Sequence, residues 1–164
     1  MATGNRQPLL PEARVRLLIQ RVQRASVEVE NSCVGRIGRG LLLFIGIEAG
    51  DTAEDLQWSA GKVVRLRIFP DENGAMNRSV QEVGGELLAV SQFTLHASTK
   101  KGNRPSFMRA APPDQAERMF DEFCVLLSDQ MKGAVQRGMF GAHMLVQLVN
   151  DGPVTIWIDS KLRD

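Results

Sequence analysis

Ser91-Gln92-Phe93-Thr94-Leu95 sets an amide and two hydroxyls inside an apolar run, and Asn150-Asp151-Gly152-Pro153-Val154-Thr155 sets a Gly-Pro step between two strand-like segments. A threonine can act as a nucleophile when a base touches it and a third group orients that base. His96 lies two residues beyond Thr94 and would share its face on a strand, but no acid is placed to orient the ring. Ser91, Gln92 and Thr94 can equally bond to neighbouring backbone where a strand frays. Gly152-Pro153 has a different potential. An X-Pro bond goes cis at a cost of only about 0.5–1 kcal/mol, and a cis bond turns two carbonyls to one side. On residues alone, a plain hairpin turn is the expectation there, because few X-Pro bonds in folded proteins are cis.

Other chemistries have less to stand on. His96 and His143 share no ligand spacing with each other or with Cys33 and Cys124, whereas structural zinc takes about four such ligands. Neither a metal nor a cofactor is expected. The acids cluster in helices and turns, where solvation accounts for them. A net charge of +1 neither demands nor forbids a nucleic-acid partner. The distribution of charge says more: Lys100, Lys101, Arg104 and Arg109 lie in a stretch with no acid, and Asp114, Glu117, Asp121, Glu122 and Asp129 follow it. Such a basic loop is either solvated surface or, with an RNA partner, a set of phosphate contacts.

Strands and helices must position these groups. Arg14 to Val22 and Ser26 to Glu30 alternate with period two, and a turn at Asn31-Ser32 leads to a return strand, Cys33 to Ile37. Gly35, Gly38 and Gly40 invite a phosphate-loop reading, but a phosphate loop opens a helix. Leu41 to Ile47 follows instead, a continuous apolar run of the kind buried on both faces. The glycines are therefore expected in a hairpin turn, supplying positive φ.

A first helix is expected from Asp51, with Glu54 reaching back to the cap, and Ala53, Leu56, Ala60, Val63 and Val64 share one face. Arg65 to Phe69 alternates as a strand, Pro70 to Gly74 turns, and Ala75 to Val83 reads as a loop. After Gly84-Gly85 a buried strand is expected to run through Thr94-Leu95. Pro112-Pro113-Asp114 opens a second helix with Ala116, Met119, Phe120, Phe123, Leu126 and Leu127 as its buried stripe, ended by Gly133. Met144 to Val149 and Val154 to Asp159 alternate again.

About eight strands and two helices in this order predict an α/β protein, a three-layer β/β/α single domain with barrel-like mixed or antiparallel sheets and both helices on one side. At 164 residues the chain can bury roughly two-thirds of its unfolded surface without staples. Residues 1–13 read as a disordered extension to a domain at 14–164. The two cysteines form neither a CxxC pair nor a disulfide framework, which points to a reducing cytosol. No apolar run approaches the roughly 18 residues of a membrane span, so no membrane partner is expected.

Taken together, the two opening motifs resemble those of the D-aminoacyl-tRNA deacylases. The likeness extends through Gln20-Arg21-Val22, Leu66-Arg67-Ile68-Phe69, Met76-Asn77-Arg78-Ser79, Gly84-Gly85-Glu86-Leu87, Arg104-Pro105-Ser106-Phe107 and Phe140-Gly141-Ala142. It implies hydrolysis of the ester linking a D-amino acid, or glycine, to the terminal adenosine of tRNA, with L-aminoacyl-tRNA spared. It implies a homodimer with a cross-subunit active site, into which a cis Gly152-Pro153 from one subunit enters the pocket of the other. The catalytic stretch is then Ser91, Gln92, Phe93 and Thr94, with the backbone N–H groups around Phe93 and Thr94 stabilising an oxyanion. The substrate's ribose 2'-hydroxyl would help to activate water, leaving Thr94 no nucleophilic role.

Arg21 would hold the Gly-Pro loop of the other subunit; otherwise it is a surface cation. Phe140, Gly141, Ala142 and Met144 would receive the terminal adenosine, with Phe140 stacking on the base; otherwise Phe140 is core. Ser91 and Asn150-Asp151 match the D-specific branch of the family and not the branch with a Thr-Asn-Gly-Pro form. Two further functions are weighed beside this one: a non-catalytic nucleic-acid-binding module on the same fold, and a general esterase using Thr94.

Overall fold

A computed structural model describes residues 13–163, so the expected extension, apart from Ala13, lies outside the described residues. The organising element is β1 (Arg16–Val29), whose 14 residues bury Leu17 and Ile19 on one side. One edge of β1 pairs along its length with β8 (Leu145–Asp159). The other edge is divided between β3 (Gly40–Gly46) and β2 (Ser32–Ile37), and all three pairings are antiparallel. β6 (Glu86–Ser91) joins β3 in parallel, and β7 (Val135–Arg137) joins β6 in parallel. The sheet curls until β2 meets β6 and β7, so it is mixed, barrel-like and nearly closed.

Burial follows from that curl. Leu41, Leu43, Ile45, Leu87 and Ala89 point to one core, against helices α1 (Ala53–Arg65) and α2 (Pro113–Gln130). Leu42, Leu88 and Val90 point to a second core inside the curl, with Val22, Ala25, Val27 and Ile37. The continuous apolar run of β3 is thus buried on both faces, as its composition predicts. The two helices pack on each other over one side of the sheet, which makes the third layer. α2 begins with Pro113 in its first turn and buries Met119, Phe120, Phe123 and Leu127.

Several local expectations are corrected. α1 is capped by Thr52, with Asp55 as the reciprocal partner: the Thr52 hydroxyl accepts from the Asp55 N–H at 3.3 Å, and the Asp55 carboxylate accepts from the Thr52 N–H at 3.0 Å. The cap is one residue later than Asp51 because Asp51 accepts instead from the Glu48 N–H at 2.7 Å. Arg65 to Ile68 forms no strand; Arg65 ends α1, and only Phe69–Pro70 (β4) pairs, with Met76–Arg78 (β5) from the expected loop.

The hairpin turn is at Glu30 and Asn31, both with positive φ, and not at Asn31-Ser32. Gly35, Gly38 and Gly40 are not among the positive-φ residues, and no hairpin forms there: β2 and β3 follow one another along the same edge of β1. α2 ends at Gln130, capped by Met131, short of Gly133. The two C-terminal strands are one interrupted strand, β8.

Asp51 is buried, and one of its carboxylate oxygens has no hydrogen-bond partner. Burial pushes its carboxyl up to about 7, the Glu48 N–H opposes that rise, and the nearby Asp55 and Glu48 carboxylates add to it. The raised value favours the protonated form in the fold, so its contribution to stability is complete below the ordinary carboxylate range and is lost as pH rises through about 7. Asp51→Asn mimics the protonated form. Its Tm should exceed that of the wild-type protein at pH 8 and approach it at pH 5; an equal difference at both pH values would show that Asp51 does not titrate as described.

Candidate active site

β6 ends at Ser91. The Gln92 N–H then donates to the Ile45 carbonyl at 2.7 Å, and the chain turns into a 3-10 helix, Phe93–His96. The expected strand through Thr94-Leu95 is therefore absent. Within the helix the first internal bond runs from the Leu95 N–H to the Gln92 carbonyl at 3.2 Å. The amides of Phe93 and Thr94 precede that bond and have no partner within the helix. This short helix also separates Thr94 from His96. Residues two apart on a 3-10 helix point to different sides: Thr94 is exposed and receives a hydrogen bond from the Gln92 side-chain amide, whereas His96 is 2% exposed. The Thr94 hydroxyl has no base beside it.

A cavity of about 660 Å³ opens next to this helix. Ser91, Gln92 and Phe93 form one wall and Phe140, Gly141, Ala142, His143 and Met144 another, with Phe107 and Pro112 between. That volume suits a small organic ligand. The Phe93 and Phe107 rings meet edge to face, 5.0 Å apart. The half-buried Phe140 ring packs 6.4 Å from Phe120 and also lines the cavity. His143 was not singled out as a cavity residue; nothing in its sequence surroundings marks it as one.

The second motif lies elsewhere. β1 and β8 pair at Gln20↔Thr155 and again at Val22↔Asn150, so Arg21 alone faces Asp151, Gly152, Pro153 and Val154. The surplus residues bulge out, with Gly152 and Pro153 exposed and the bond between them cis. Gly152 has φ of +123°, and a Cβ there would sit 3.0 Å from Arg21 Nη2 and 2.9 Å from Val154 Cγ2, so glycine is required on both counts.

Side chains fasten the bulge. Arg21 Nε donates to the Asp151 carbonyl at 3.2 Å, and its Nη1 donates to the Ile68 carbonyl at 2.7 Å. The Asn150 side-chain amide donates to the carbonyls of Arg21 and Val154 at 2.9 and 3.0 Å. Arg21 thus holds the loop of its own chain, where the loop of another subunit was expected, because the mismatch with β8 leaves the bulge directly opposite it. Neither Gly152 nor Pro153 is among the residues lining the cavity of the same chain.

Of the four basic residues, Lys100, Lys101 and Arg104 are exposed in a loop pinched by two bonds between the main chains of Ser98 and Ser106, at 2.8 and 2.9 Å. Arg109 is different: its Nη2 lies 3.2 Å from Oε1 of the buried Glu48, whose same oxygen is 3.1 Å from His96 Nδ1. Burial holds the His96 ring below its ordinary pKa, the Gly46 carbonyl and the Glu48 carboxylate oppose that, and Arg16 and Arg109 add to it. Sequence reasoning missed this cluster; a lone acid after an apolar run carries no signal. Among the described residues, no group of three or more His, Cys, Asp or Glu side chains could hold a metal.

Amides left over at the start of a 3-10 helix, next to a mostly apolar cavity, make this a candidate site for chemistry carried by main chain. The sequence profile of the family described as D-Tyr-tRNA(Tyr) deacylase matches residues 18–159. Proteins named D-aminoacyl-tRNA deacylase from Parabacteroides distasonis and Dechloromonas aromatica are each 55% identical over 150 residues, covering 92% of this chain and all of theirs. A solved structure titled c-Myc DNA Unwinding Element Binding Protein is 41% identical with a TM-score of 0.83, covering 87% of this chain and 97% of its own. A second, titled as a probable eukaryotic D-amino acid tRNA deacylase, is 21% identical with a TM-score of 0.76 over 89% and 99%, which shows the shared fold. The chain belongs to the D-Tyr-tRNA(Tyr) deacylase family.

The bulge geometry makes Arg21→Lys a non-conservative change, since an ammonium lacks the planar fork that reaches both Asp151 and Ile68. Losing a charged donor to a buried carbonyl costs about 1.5–3 kcal/mol, and urea denaturation should show a loss of that size. Wild-type stability in Arg21→Lys would mean that Asn150 holds the bulge alone.

Proposed function

We infer that this protein hydrolyses the ester of D-aminoacyl-tRNA, and of mischarged glycyl-tRNA, releasing the free amino acid and tRNA. The observation that carries this reading is the cavity shared by Ser91–Phe93 and Phe140–Met144, beside the start of the 3-10 helix where the Phe93 and Thr94 amides have no partner within the helix, in a chain 55% identical to proteins named for that activity. In chemical terms, water attacks the ester carbonyl carbon, and the negative charge collects on the carbonyl oxygen. In this reading the Phe93 and Thr94 N–H groups donate to that oxygen and, held at the start of a short helix, need little reorganisation when the charge forms. Collapse of the intermediate breaks the bond to the ribose oxygen, which leaves with a proton. The neighbouring 2'-hydroxyl of the substrate helps to activate the water. Gln92 orients Thr94 through its amide, and the Thr94 hydroxyl stays bystander to the bond-making.

The tRNA end enters the cavity with its adenine on Phe140, against Gly141, Ala142 and Met144. Lys100, Lys101 and Arg104 meet the phosphates. Arg109, already paired with Glu48, anchors the end of that loop. The working form is a homodimer in which Gly152 and Pro153 of each copy enter the cavity of the other, where their carbonyls obstruct an L side chain and leave a D side chain room. What supports this is the position of the bulge: exposed, fastened, and outside the cavity of its own chain. The protein acts in the cytosol as a proofreading enzyme of translation, and residues 1–13 have no part in the reaction. Both cysteines are free, in keeping with that compartment.

The test uses D-tyrosyl-tRNA and L-tyrosyl-tRNA side by side. The wild-type protein should cleave the D form and spare the L form. Thr94→Ala should lose no more than about tenfold, the worth of one hydrogen bond. A loss on the order of 10⁴ or more with the fold intact would make Thr94 the nucleophile. Binding of tRNA with the D ester left intact would favour the non-catalytic nucleic-acid-binding reading, and equal cleavage of both hands would end the chiral one.

A further inference from the structure

We propose that Glu48 is a positioning residue for deacylation, acting through His96 to hold the Phe93–His96 helix and through Arg109 to hold the end of the basic loop. The proposal rests on the deacylase reading given above. Glu48 follows β3 and is 4% exposed. Its Oε1 lies 3.1 Å from His96 Nδ1 and 3.2 Å from Arg109 Nη2; its Oε2 accepts from the Arg14 N–H at 3.2 Å and from Arg109 Nη2 at 3.4 Å. The main chain repeats the junction, since Glu48 forms a bridge with Ala110 and the Ala111 N–H donates to Ile47 at 2.9 Å. One buried carboxylate therefore sits where three segments meet: the exit of β3, the end of the 3-10 helix and the return of the basic loop.

The helix rests on bare main chain on its other side. A Cβ on Gly46 would lie 2.9 Å from the Gln92 carbonyl oxygen, 3.0 Å from Leu95 Cβ and 3.0 Å from His96 Cδ2. With Gly46 beneath it and Glu48 beside it, the helix has little freedom. Arg16 adds a bond from Nη1 to the Leu95 carbonyl at 2.8 Å. His96 itself is costly as a mere packing residue. Its side chain is fully buried; Nδ1 lies close to Glu48 Oε1 but off-line, and the Gly46 carbonyl is the other polar group acting on the ring. A buried ring whose polar atoms are met only by off-line contacts asks for an explanation beyond packing.

The ring faces Glu48, Arg16 and Arg109, with Asp51, Arg14 and Asp159 in the next layer. Burial favours the neutral ring, so protonation sets in below the ordinary histidine value; the added charge would draw the ring to Glu48 but repel Arg16 and Arg109, the cations that hold the Leu95 carbonyl and the end of the basic loop.

Displacing reacting groups by about 1 Å can cost on the order of 10²-fold in rate. The cavity wall at Phe140 lies away from Glu48, and Lys100, Lys101 and Arg104 sit inside the loop closed by the two main-chain bonds between Ser98 and Ser106, short of the Arg109 anchor, so KM should be spared.

The experiment compares the full-length wild-type protein with Glu48→Gln, His96→Gln, Arg109→Ala and Arg109→Lys, using D-tyrosyl-tRNA between pH 5 and 8. Glu48→Gln should lower kcat by on the order of 10–100-fold with KM within about twofold. Wild-type kcat should fall toward pH 5, that fall should be missing in His96→Gln, and Arg109→Lys should recover part of what Arg109→Ala loses. The amide chemical shifts of Phe93 and Thr94 should move in Glu48→Gln, a readout independent of turnover. Unmoved shifts, or a kcat loss that merely follows Tm with the pH profile unchanged, would overturn the proposal. A wild-type protein inactive on D-tyrosyl-tRNA would overturn the deacylase reading instead, while the amide shifts would still decide whether Glu48 positions the helix.

Discussion

The structure depends on how β1 spends its two edges. With 14 residues it is too long for any single neighbour but β8, so one edge goes to β8 and the other is shared by β3 and β2. The sharing curls the sheet. It also sets both functional elements: β3 lies where its last carbonyls can receive the chain leaving β6, which starts the 3-10 helix, and β8 carries more residues than β1 can match. Register in a two-faced strand is unforgiving, because a slip of one residue moves every side chain to the other face. Four residues against one is an odd surplus of three, and a second irregularity, two residues of β1 against one of β8 between Val22 and Arg24, brings the net shift to two, so that the inward and outward residues of β8 are still in place beyond the Gly152-Pro153 bulge.

Charge beneath the site obeys the same economy. Asp159 is buried against Arg14 and Arg16 at 3.4 and 3.6 Å, and Asp55 against Lys161 at 3.2 Å. Buried ion pairs add little net stability over apolar packing, but removing one partner is expensive. They therefore make poor glue and good locators. Here they tie both ends of the described chain, Arg14 to the end of β8 and Lys161 to the first turn of α1. The exposed cations Lys100, Lys101 and Arg104 stand apart from these buried pairs, in the loop pinched at Ser98 and Ser106.

Much of this was legible in residue patterns, and the failures share a cause. Period-two alternation located β1, continuous apolarity marked β3 as buried on both faces, and the Met119, Phe120, Phe123, Leu127 stripe located α2. Alternation misled at Arg65 to Ile68, where Leu66 and Ile68 pack on the core without any partner edge to make them a strand. Apolarity misled at Phe93 to Leu95 for the converse reason: the run continues, but the Ile45 carbonyl captures the Gln92 N–H and the chain turns. Local pattern records which side chains are buried; it does not record which edge is free to pair. The Gly152-Pro153 bulge and the Thr94–His96 separation are both consequences of pairing, so neither could be read from spacing. The motifs themselves were visible, and the family likeness gave them their meaning.

The discrimination by main chain that we propose would also explain why the bulge is fastened as it is. A pocket shaped to one side chain gains selectivity from each added contact, but it rejects every other side chain by the same contacts. An enzyme that must accept many side chains of one hand needs an obstacle placed near the α-carbon, where all amino acids are alike, and no side chain of its own can serve, because side chains rotate. Backbone carbonyls can, provided the loop presenting them is rigid. Asn150 bonds to carbonyls on both sides of the bulge, and Arg21 ties Asp151 to Ile68, so the loop is held from its base and its flank. The amides of Phe93 and Thr94 follow the same logic in the proposed mechanism. At both places the group proposed to react or to judge is main chain, and the side chains nearby keep it still.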